Sequence, residues 1–181
     1  IADNVDDPTD PGITLLINDM IDTLQDAAGI GLAAPQVHVS KRVVIFFVPE
    51  SRSGEDEQDS ETELTIMINP VIEPLSEETN LDWEACLSVP DLMGSVERYS
   101  HVKYSWTTPA GNREERLASG FHARAVQHEC DHLDGLLYPM RMNDLSLMGY
   151  AEETNRNIKL LRRGHGLEED FEAELQVAEE G

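Results

Sequence analysis

The sequence is 181 residues long, 40% hydrophobic, and carries a formal net charge of −23. That is enough chain for one domain with a sizeable core. It excludes a helical membrane span, since no apolar run nears the ~20 residues required, and a broad nucleic-acid footprint, because phosphate is repelled by so acidic a surface.

The chain opens at Ile1 rather than Met, as a trimmed or partial sequence would. Residues 1–12, rich in Asp and Pro, read as an extended arm. A helix follows, with Ile13, Ile17, Met20, Ile21, Leu24 and Ala28 at helical spacing and Gly29 and Gly31 ending it. Arg42 to Val48 reads as a buried strand. Residues 50–63 hold seven acids and one arginine and read as a solvated acidic loop. Thr65 to Asn69 reads as a strand stopped by Pro70, and Val96 to Trp106 as one further strand. The turn Pro109-Ala110-Gly111-Asn112 leads into a return strand ending near Ala118. Phe121 to Leu133 reads as a buried helix closed by Gly135, with Pro139 enforcing the break. A last helix is expected from about Asn143, as N-cap, to Arg163, where Arg162 and Arg163 suit the negative helix end. Residues 166–181 form an acidic tail with seven acids and no base. Strands before helices give an α+β class with a mainly antiparallel sheet and no domain boundary within 1–181.

The chemistry concentrates in three segments. His128-Glu129-Cys130-Asp131-His132 is an HExxH sequence. Positions i and i+4 of a helix lie about 40° apart around the axis, so both imidazoles can reach one metal ion, and Glu129 beside them can act as a general base. A catalytic metal usually takes a third protein ligand and keeps one position open. Gly135 matches a downstream protease pattern, but Tyr138 stands where that pattern has its third His. His165 is a remote candidate, and Cys86 is a better one, though the role of a small buried hydrophobe suits it equally. Cys130, about 200° from His128 on the helix, faces away and reads as core. With two cysteines and no secretory signal, the chain fits a reduced compartment. In Gly29-Ile30-Gly31-Leu32-Ala33-Ala34-Pro35-Gln36, small residues suit a backbone that borders a ligand, with an amide donor at the end; the glycines equally suit a helix cap.

Taken together and in order, GIGLAAPQ from Gly29, EACLS from Glu84 and QHECDHLDG from Gln127 resemble the peptide deformylase family, over roughly Gly12 to Pro139. The resemblance implies an α+β fold with the HExxH helix among antiparallel strands. It implies metal ligands Cys86, His128 and His132, Glu129 as acid–base, and oxyanion stabilisation by Gln36 and the Leu87 N–H. It implies hydrolysis of the N-formyl group from N-formylmethionyl peptides with release of formate. The expected cofactor is one divalent ion, usually Fe(II), with Zn, Ni or Co as substitutes. The substrate is expected against Gly29, Ile30 and Gly31, with Phe121, Arg124 and Ala125 beside the methionine side chain. Partners would be the nascent chain and the ribosome near it, with no DNA and no membrane. A bacterial cytoplasm is the expected home; formylated starts also occur in organelles and phage-encoded systems. Rival readings are an HExxH metallopeptidase and a catalytically weak peptide-binding relative. Ala85 replaces the usual glycine of the second motif, and strain would follow if that position needed positive φ.

Overall fold

A computed structural model describes the backbone of residues 1–164 and side chains through residue 158. His165 and the tail 166–181 lie outside the described residues, as do the side chains of Arg162 and Arg163.

The helix α1 (Pro11–Asp26) starts inside the expected arm. Pro11 takes the first helical position and the Asp10 carboxylate accepts from Gly12 N–H. Before it the arm is docked rather than free: Ala2 N–H donates to Leu133 O, Asp3 bridges Lys41, and Ala2 and Val5 are buried. The helix ends at Asp26, so Ala28 does not extend its apolar face. Ala28 takes the left-handed conformation at φ 50°. The N–H of Ala28 and of Gly29 then satisfy Gln25 O and Leu24 O. Neither Gly29 nor Gly31 is the left-handed cap.

Among the described residues, eight strands make two antiparallel sheets. The larger runs β1 (Gly31–Ala33), β2 (Val43–Val48), β3 (Thr62–Pro74), β6 (His101–Thr107) and β7 (Arg113–Ser119), in that order. The smaller is β4 (Thr79–Cys86), β5 (Val89–Tyr99) and β8 (Met148–Tyr150). Strand β2 is apolar on both faces because both are covered. Val44, Phe46 and Val48 join the cluster under the helix α2 (Gly120–Leu133), while Val43 and Ile45 join the cluster under α1. The helices therefore lie on opposite faces of the larger sheet. Strand β5 of the smaller sheet closes over α2, and 12 of its 14 residues are buried. Gly135, at φ 75°, ends α2 as expected, with Leu136 N–H on Asp131 O.

Four further expectations fail. Pro70 does not stop β3; a register shift between Ile68 and Val71, with Asn69 at φ 52°, carries the strand past it. Val96–Trp106 is not one strand: the chain bends at Ser100, and β5 and β6 belong to different sheets. Asn143 caps no long helix. Asp144 instead accepts from Ser146 N–H in a short turn, β8 follows, and the last helix α3 spans Ala151–Gly164. Finally, two acids of segment 50–63 are structural. Asp59 accepts from His122 N–H at 2.8 Å and so caps α2, whose own Ser119 makes no side-chain cap, while Asp56 accepts from the Ser119 hydroxyl at 3.0 Å just before the helix. Among the described residues no helix is long and apolar enough to cross a membrane.

Candidate metal centre

Strand alternation and helical spacing bring the donors together. In β4, Glu84 and Cys86 share a face, being two residues apart; in α2, His128 and His132 share a face one turn apart. The donor atoms of Cys86, His128 and His132 all lie within 4.8 Å of one another, and Cys86 Sγ is 3.3 Å from His132 Nε2. Cys130, by contrast, is buried in the core cluster beneath α2. Tyr138, at the position of the absent third histidine, stacks on His128 with ring centroids 6.4 Å apart.

Glu84 decides the orientation of His128. Its Oε2 accepts from Nδ1 at 2.8 Å, which leaves Nε2 as the free donor. Glu84 is itself gripped by Arg98 through two hydrogen bonds of 2.8 and 2.9 Å, and by Arg124 at 2.9 Å. Arg98 continues to Asp131, which also holds Arg141. Burial pushes the Glu84 carboxyl up, but Arg98 and His128 outweigh it and hold it far below the usual carboxylate range. Burial likewise raises the Cys86 thiol, and hydrogen bonds from His128 and His132 bring it down to about 6. A thiolate and two imidazoles form a donor set that suits a borderline divalent ion.

Glu129 lies beside these donors. Burial pushes its pKa up to about 7, against the pull of His128 and His132. Its Oε2 is buried without a hydrogen-bond partner. Gly31 makes room for it: a Cβ there would overlap the Glu129 carboxylate. Gln36 is locked by its Oε1, which accepts from Ala33 N–H at 2.8 Å. That aims Nε2 at Ser88 Oγ (3.0 Å) and Cys86 Sγ (3.8 Å). Leu87 sits in the two-residue turn after Cys86. Ala85 keeps negative φ and is exposed, so the condition for strain at this position is not met. A divalent ion fits this arrangement: three soft or borderline donors converge, one imidazole is pre-oriented, and a buried carboxylate oxygen is left unpaired beside them.

The donors open into a cavity of about 420 Å³ lined by Gly29, Ile30, Gly31, Phe121, Arg124 and Ala125, among others. All six residues expected at the substrate are brought there. Arg124, however, spends its guanidinium on Glu84, Val96 O and Asn80 O, so it contributes wall rather than a free charge. The sequence reading missed Glu84, Arg98, Asp131 and Arg141 as a group. The available signal was acid and base at alternating positions of otherwise buried strands and helix, which must pair.

A profile of polypeptide deformylases matches residues 1–147. The chain belongs to the peptide deformylase family. It is 53% identical over 142 residues to peptide deformylase 1 of Bordetella pertussis, covering 78% of this chain and 80% of that one. With peptide deformylase 1 of Nitrosomonas europaea it shares 48% over 151 residues, 83% of this chain and 85% of the other. The crystal structure of the class I type b peptide deformylase of Acinetobacter baumannii, bound to Met-Ala-Ser, superposes with a TM-score of 0.69. It is 38% identical and covers 78% of this chain and 90% of that one. Peptide deformylases are metal-dependent hydrolases that remove the N-formyl group from nascent peptides, and this deformylase acts on N-formyl peptides.

Proposed function

We propose that Cys86, His128 and His132 hold the ion of this deformylase, that Glu129 moves the proton, and that Gln36 and the Leu87 N–H receive the negative charge. The observation that carries this reading is the convergence of the three donors within 4.8 Å beside an unpaired, buried Glu129 oxygen. When bound, the ion supplies Lewis-acid activation of water and of the formyl carbonyl. Glu129, with a pKa near neutrality, takes the proton of the attacking water and returns it to the departing amine nitrogen. The C–O bond forms, the C–N bond breaks, and formate and a free N-terminal amine result. Gln36 Nε2, its amide fixed by Ala33, donates to the formyl oxygen as charge builds there. Gly29–Gly31 border the peptide backbone at the free edge of β1, which ends its sheet, so extended pairing holds the chain without reading its sequence. Ile30, Phe121 and Ala125, with the stem of Arg124, wall the methionine side chain.

Fe(II) is the proposed native ion, with Zn, Ni or Co able to occupy the same donors. The proposed setting is a bacterial cytoplasm, close to the ribosome where formylated chains emerge, with residues 1–181 acting as one domain. The test is formate release from formyl-Met-Ala-Ser by protein loaded anaerobically with Fe(II), against Zn-loaded protein and Cys86→Ala. Fast release with Fe(II), slower release with Zn and none from Cys86→Ala are expected. A Cys86→Ala protein that binds stoichiometric metal and turns over normally would remove Cys86 from the site.

A further inference from the structure

The acidic segment meets the cavity at Arg52. This residue closes the short turn Glu50–Arg52, lines the cavity, and places its guanidinium over the Phe121 ring, 4.9 Å from the centroid. The segment is anchored on its far side, where Asp56 accepts from the Ser119 hydroxyl and Asp59 from His122 N–H, one residue either side of Gly120–Phe121. Arg52 is therefore held at the cavity wall from two directions. A guanidinium stacked on a ring keeps its N–H edge free for a planar pair of oxygens. Among the described residues Arg52 makes no ion pair. The other charges lining the cavity differ: Glu84 and Arg124 neutralise each other, Glu129 is buried by the metal donors, and Asp91 is an exposed anion.

We propose that Arg52 reads the third residue of the formylated peptide and favours an acidic side chain there. The inference rests on the deformylation reading, in which the first side chain enters the pocket walled by Phe121. In an extended peptide, alternate side chains share a face and lie roughly 7 Å apart. The third side chain therefore rises on the Phe121 side, where Arg52 is stacked, while the second points the opposite way. The protein's net charge of −23 disfavours every acidic peptide, wherever its charge sits. Only a local cation distinguishes the third position from the second.

The test uses C-terminally amidated isomers of equal charge. Formyl-Met-Ala-Glu-Ala is compared with formyl-Met-Glu-Ala-Ala by kcat/KM on the metal-loaded enzyme. The corresponding deformylated peptides are compared by Kd, and Lys replaces Glu in a second pair. Wild type should favour Glu at the third position by about 2- to 5-fold in both readouts, the range of an exposed ion pair. Arg52→Ala should bring the ratio to one, and Arg52→Glu should transfer the preference to Lys. Equal ratios in wild type, Arg52→Ala and Arg52→Glu, with formate released normally, overturn the proposal. If no peptide releases formate but the Kd ratio still follows the charge at residue 52, the deformylation reading fails and the Arg52 reading stands.

Discussion

Glu84 Oε2 and His128 Nδ1 are 2.8 Å apart, and that pair decides which imidazole nitrogen faces the cavity. Replacing the carboxylate by an amide keeps the shape but loses the charge that favours Nδ1–H. Glu84→Gln should weaken metal binding about 10–100-fold, read by competition with a chelator. Glu84→Ala should be worse for the fold, leaving Arg124 and part of Arg98 buried without a counter-charge at a cost of roughly 3–5 kcal/mol. Unchanged metal affinity in Glu84→Gln would mean that the ring is held by packing on Tyr138 instead.

Glu129→Gln should retain metal and lose about 10²–10⁴ in kcat, because a buried amide cannot accept the proton. Metal content by elemental analysis beside the rate of formate release makes the test. Full activity with full metal content would take Glu129 out of the chemistry.

Gly31→Ala should disturb Glu129 without touching any metal donor, since the added methyl occupies the space of its carboxylate. A displacement of about 1 Å at a reacting group costs on the order of 10²-fold. We expect kcat/KM to fall by that factor while the metal-to-protein ratio stays at one. A neutral Gly31→Ala would show that Glu129 has room to retreat.

Asp59→Ala removes the acceptor for His122 N–H at the start of α2. Loss of such a cap costs about 1 kcal/mol, which lowers Tm by roughly 2–4 °C in a protein of this size. Asp59→Asn should recover part of the loss. Thermal unfolding that ignores both variants would return the acidic segment to a purely solvated role.

His122 gives the fold a pH dependence. Burial lowers its pKa from 6.5 to about 4. In that window the unfolded chain binds a proton that the native protein refuses. The contribution is thus fully present above pH 6.5 and lost as pH falls toward 4, with a slope of at most about 1.4 kcal/mol per pH unit. His122→Asn should flatten the denaturant midpoint between pH 6.5 and 4.5 relative to wild type. Parallel pH profiles for the two proteins would assign the acid sensitivity elsewhere.

The sequence by itself determined the local features whose causes are local. The apolar run Val43–Val48, the helix ending at Gly135 and the i, i+4 pair His128 and His132 are set by alternation, period and cap chemistry within a few residues. Resemblance across three ordered motifs added Cys86 and Gln36, which no spacing rule could join to the helix. Only the tertiary structure decided what depends on contacts distant in the chain. It bent the chain at Ser100 to give two sheets, carried β3 past Pro70 on a register shift, and turned Asp59 from a solvated acid into a cap for α2, with Asp56 tied to the Ser119 hydroxyl beside it. It also joined Arg141, Asp131, Arg98 and Glu84 behind His128, residues up to 57 positions apart. A buried charge must be paired, so the sequence required partners for each of these residues; which partner each would find was fixed by the packing of β4 and β5 against α2.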